Sequence, residues 1–116
     1  MKKLASKVIK LRVLSDAAGK IYNKLIEKYD DLYADDLITE DEYIKADNYA
    51  EAQTNYKQYK FDLFNAETEL LARYEQEIKD SGLYDNSVKE LFSMAKKSVI
   101  TRDKLINKIL EIEGDI

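Results

Sequence analysis

From Leu4 onward, apolar residues return every three or four positions: Leu4, Val8, Leu11, Ala18, Tyr22, Leu25, Tyr29 and Leu32, with Ser15 the polar member of the series. Steps alternating between four and three average about 3.5 residues, so all of these positions share one stripe of a helix. Val13, Leu14, Ala17, Ile21 and Ile26 widen the stripe, as in a helix with two neighbours. Gly19 interrupts the composition but not the phase, which predicts one helix over about residues 3–34.

A second helix is announced at Thr39. Its hydroxyl can accept from the Glu42 amide while the Glu42 carboxylate reaches back to the Thr39 amide, a capping box, with Ile38 and Tyr43 placed to form a hydrophobic staple. The stripe Tyr49, Ala52, Tyr56, Tyr59, Leu63, Ala66, Leu70 continues through Tyr74 and Ile78, predicting a helix over 40–80. Gly82 suits a left-handed C-terminal cap, followed by Leu83 for the usual apolar contact.

A third helix over 87–112 opens with a second capping box, Ser87 and Glu90, and carries Val88, Phe92, Ala95, Val99, Arg102, Ile106 and Ile109. Leu91, Leu105 and Ile112 form its second edge. The same segment can be laid over a helix-turn-helix, with a turn near Lys96–Ser98 and Arg102, Lys104 and Lys108 on the recognition helix. No glycine occupies that turn and the stripe passes through in phase, which favours one continuous helix. Short connections then give an all-α, elongated, antiparallel three-helix bundle of coiled-coil type, one domain over 1–116. Its middle helix outruns the others, which makes self-association an expectation.

Composition agrees with this class. Among 116 residues there is no proline and there are three glycines, too few turn residues for a compact β fold. The chain has no cysteine, hence no disulfide or thiolate metal site, and no histidine, the usual general base near neutral pH. Lys7, Lys10 and Arg12 break the apolar run that a signal peptide would need, and no run approaches the ~20 residues of a membrane span, so a soluble, cytoplasmic protein is expected.

Charge is unevenly spread. Residues 1–28 carry eight basic against two acidic residues, and residues 29–92 six against 17. Between Asp30 and Glu42 there are seven carboxylates and no base. Read as a calcium loop from Asp31, this segment puts acids at positions 1, 5 and 12 and Ile38 at position 8. Tyr33 stands where a short oxygen ligand is needed and Asp36 where glycine is needed, while Glu42 is already used by the capping box. The segment therefore reads as a solvated connection between helices, with neither metal nor cofactor.

Nine tyrosines against three phenylalanines suit the rim of a thin bundle, and equally a protein interface. Lys3, Lys7, Lys10, Arg12, Lys96 and Lys97 form a basic set able to meet phosphates. Carboxylate pairs such as Asp30/Asp31 and Glu67/Glu69 lack any sign of the burial that acid–base chemistry needs, so no catalytic residue is assigned. The expected function is non-catalytic protein binding, as an adaptor, inhibitor or assembly factor. Its candidate residues are Tyr33, Asp35, Asp36 and Asp41 at the acidic tip and Tyr49, Tyr56 and Tyr59 on the long helix. A short acidic chain without Cys, His, Trp or Pro also fits the profile of small phage-encoded proteins, whose partner would be a host factor. The alternative is nucleic-acid binding through the basic set.

Overall fold

The computed structural model describes residues 1–45 and 49–113, of which 43–45 by their backbone alone. The fold is an all-α helical bundle. Among the described residues five helices follow one another: α1 (Lys2–Ala34), α2 (Glu40–Lys45), α3 (Tyr49–Asp80), α4 (Asn86–Lys97) and α5 (Val99–Glu113). The chain divides into two compact units, Met1–Lys10 with Phe64–Ile116, and Leu11–Leu63.

Among the described residues, the first unit holds ten of eleven buried apolar side chains: Leu4, Ala5 and Val8 from α1, Ala66 and Leu70 from α3, Phe92 and Ala95 from α4, and Ile106, Ile109 and Leu110 from α5. Val8, Leu70, Ile106, Ile109 and Leu110 are essentially inaccessible, and each contributes roughly 1.5–3 kcal/mol by its burial. Arg102 ties α5 to α3 across this core. Its Nη2 donates to the Phe64 carbonyl (3.3 Å) and to Thr68 Oγ1 (3.1 Å), and its guanidinium lies 4.5 Å from the Phe64 ring centroid.

In the second unit α1 and α3 run antiparallel. Tyr22 meets Tyr49 and Tyr56 edge-on, at centroid distances of 5.6 and 5.8 Å. Gln53 donates to the Tyr22 hydroxyl (3.1 Å), which lies 3.3 Å from that of Tyr49. Small residues make this closeness possible: Ser15, Ala18 and Gly19 are buried, and the Tyr56 ring lies over Gly19. Helix α1 passes Gly19 without a break, and all nine positions of its expected stripe are buried or half-buried. The widening edge is different, since Val13 and Ile21 remain 63% and 58% exposed.

Two expectations are corrected. The third helix is two, divided at Ser98, whose φ of −127° and ψ of 120° are extended. The Ser98 side chain accepts from the Thr101 amide (3.3 Å) and so starts α5 as its cap, while its own N–H closes α4 onto the Met94 carbonyl. The cap of α4 is Asp85 in place of Ser87: Asp85 Oδ1 accepts from the Val88 amide at 2.9 Å, leaving Ser87 inside the first turn. Over 40–80 the described helices are α2 and α3, and residues 46–48 lie outside the described residues.

Candidate functional site: the acidic turn and the basic positions

The connection from α1 to α2 is built by two caps in succession. Asp36 takes a left-handed φ of 57°; its N–H donates to the Tyr33 carbonyl (3.1 Å) and the Leu37 N–H to that of Leu32 (2.9 Å). These are the paired bonds of a Schellman motif, a task usually given to glycine. Gly82 ends α3 in the same way at φ 78°, with Leu83 N–H on the Ile78 carbonyl (3.3 Å). In both turns the following leucine stays outside: Leu37 is 68% and Leu83 72% exposed.

Thr39 then starts α2 with the expected capping box. Glu42 N–H donates to Thr39 Oγ1 (3.2 Å), and Thr39 N–H donates to Glu42 Oε1 (3.2 Å). The staple expected between Ile38 and Tyr43 lies outside the described side chains. Asp36 thus has the positive φ that a calcium loop wants at that position, but uses it to end a helix. Glu42 is held by Thr39. Among the described residues, no three carboxylates are grouped so as to hold a metal ion.

Around this turn Tyr33, Asp35, Asp36 and Asp41 are all exposed, Tyr33 by 46%. The other tyrosines of the candidate set face inward. Tyr49 and Tyr56 pack in T-shaped contact with Tyr22, and half-buried Tyr59 lines a groove of about 270 Å³ with Leu14, Ile21 and Ala52. The tyrosine excess in α3 is therefore largely spent on packing α3 against α1.

Among the basic positions, Lys3, Lys7 and Lys10 are exposed on α1, whereas Arg12 is half-buried and engaged. Lys96 and Lys97 are exposed in the last turn of α4, where cations also offset the helix dipole. The break at Ser98 falls at the end of the turn proposed for a helix-turn-helix. Arg102, however, is committed to α3 and is not presented as a base-reading side chain.

Sequence reasoning missed a second feature here. Leu91 on α4 and Thr101, Lys104, Leu105 and Lys108 on α5 line an open groove of about 290 Å³. Leu91 and Leu105 had marked the second apolar edge; the bend at Ser98 is what turns that edge into a groove. Compared with protein-family models, curated proteins and solved structures, the chain matches none.

Proposed function

We propose that this chain is a non-catalytic protein-binding module whose contact surface is the acidic turn between α1 and α2. The observation that supports this reading is the pairing of exposed Tyr33 and Leu37 with the carboxylates of Asp35, Asp36 and Asp41 on a backbone fixed by two caps. A fixed turn loses little entropy on binding, its apolar side chains supply desolvation energy, and its carboxylates supply steering and selectivity. The fitting partner is a protein with a basic, partly apolar groove, in keeping with an inhibitor or assembly role. The chain also has no histidine or cysteine to carry acid–base or thiol chemistry.

The test is affinity capture from nuclease-treated lysate of the source cell, eluted with a salt gradient. A stoichiometric protein released by moderate salt is the expected result. Recovery of nucleic acid alone, or of proteins that nuclease removes, would transfer the function to Lys3, Lys7, Lys10, Lys96 and Lys97.

A further inference from the structure

The groove of unit Met1–Lys10 with Phe64–Ile116 between α4 and α5 combines an apolar floor with a basic rim. Leu91 is 42% exposed and Leu105 half-buried, while Lys104 and Lys108 stand on successive turns of α5. Among the described residues Lys104 has no ion pair, and Lys108 has only an exposed contact to Glu111 at 3.6 Å. Beside this floor on α4 lies Met94, one turn from Leu91 and 50% exposed. Leucine and lysine arranged this way ask for an occupant with an apolar side chain flanked by carboxylates.

The chain carries such an occupant itself. Leu37 projects from the acidic turn next to Asp35 and Asp36, in a stretch of seven carboxylates without a base. We infer that the α4–α5 groove receives the acidic turn of a second copy, Leu37 entering between Leu91 and Leu105 and the aspartates meeting Lys104 and Lys108. This rests on the reading of the turn as a binding surface and adds its partner. Because turn and groove are different surfaces, the contact is heterologous, and copies can add head to tail. Leu83 offers the same cap and exposure, but the turn around it is less acidic, so charge selects Leu37.

Sedimentation equilibrium of the purified chain tests this, from about 10 μM to about 1 mM protein and at about 20 and 500 mM salt. The mass should rise from the 13.5 kDa monomer to at least double that at low salt, and fall back at high salt. Two variants then separate the surfaces: Asp35→Asn with Leu37→Ser, and Leu91→Ser with Lys104→Gln and Lys108→Gln. Each alone should stay monomeric with undiminished helical circular dichroism. Their equimolar mixture should form a one-to-one dimer, because each supplies the surface the other lacks. Leu83→Ser should associate like the original chain. A chain monomeric under all conditions overturns the inference, as does association that survives the turn variant or is lost with Leu83→Ser. Failure here with a foreign protein still captured by the turn would remove the self-contact and leave the proposed function standing.

Discussion

The edge of the Tyr56 ring rests on Gly19: a Cβ at position 19 would lie 3.0 Å from Tyr56 Cε1 and 3.4 Å from Cζ. Two effects compete in Gly19→Ala. Helix propensity favours alanine by up to about 1 kcal/mol, and overpacking opposes it by about 1–3 kcal/mol. Overpacking wins, because Tyr56 is held in place by the edge contact with Tyr22. Gly19→Ala should lower stability by about 1 kcal/mol in the original chain, yet raise it by about 0.5–1 kcal/mol in a Tyr56→Ala background. Urea denaturation of the four chains measures both; additive effects would contradict the contact.

The two left-handed caps predict opposite responses. Asp36 at φ 57° is strained in a way glycine is not, so Asp36→Gly should raise stability by about 0.5–1 kcal/mol and Asp36→Val lower it by about 1 kcal/mol or more. At Gly82, with φ 78°, alanine should cost about 1 kcal/mol although nothing stands within 4 Å of the added Cβ. Denaturation midpoints decide, and an unchanged Gly82→Ala chain would count against the cap.

The start of α4 distinguishes two candidate caps. Asp85→Ala removes the acceptor of the Val88 amide and should cost about 1 kcal/mol. Ser87→Ala should change stability by less than about 0.5 kcal/mol, since Ser87 lies inside the first turn on the exposed side. The reverse ranking in urea would restore the Ser87–Glu90 box.

Tyr84 supplies a pH signature. Partial desolvation of its phenol, then the hydrogen bond it donates to Glu75 Oε2 (2.9 Å) and that carboxylate's charge, raise its pKa above the usual 10.0. Its neutral form is the one the fold favours. The contribution is therefore fully present below the usual tyrosine value and is lost as pH rises through the higher folded value. In an absorbance titration of phenolate, the Tyr84 step, read as the difference between the original chain and Tyr84→Phe, should come above the usual 10.0. Glu75→Gln should bring that step down; a Glu75→Gln titration identical to the original would refute the contact.

Much of the architecture was legible because it depends on periodicity and end chemistry. The stripe from Leu4 to Leu32 and that from Tyr49 to Ile78 are the buried faces of α1 and α3, and the Thr39–Glu42 box and the Gly82 cap form as their residue types dictate. Ser98 was not legible by phase. A one-residue break leaves Phe92, Ala95, Ile106 and Ile109 in step, and all four are indeed buried. The break shows instead in Val99, a member of the expected stripe that is 73% exposed. Its local signal was a serine followed by β-branched residues, which favour a cap over a helix interior. Asp36 hid a cap for the opposite reason, since an aspartate in a left-handed turn is uncommon enough to be read as a defect of a metal loop. The inward use of Tyr49 and Tyr56 was equally beyond composition, because tyrosine serves a core rim and an interface with the same chemistry.

The most direct test of the proposed surface compares two charge variants in the same nuclease-treated capture. One carries Asp35→Lys, Asp36→Asn and Asp41→Lys, with asparagine at 36 to keep the left-handed turn. The other carries charge reversals at the exposed Lys3, Lys7 and Lys10. The account predicts that the first variant loses the captured protein and the second keeps it. Retention by the first with loss by the second would contradict the acidic turn as the binding surface.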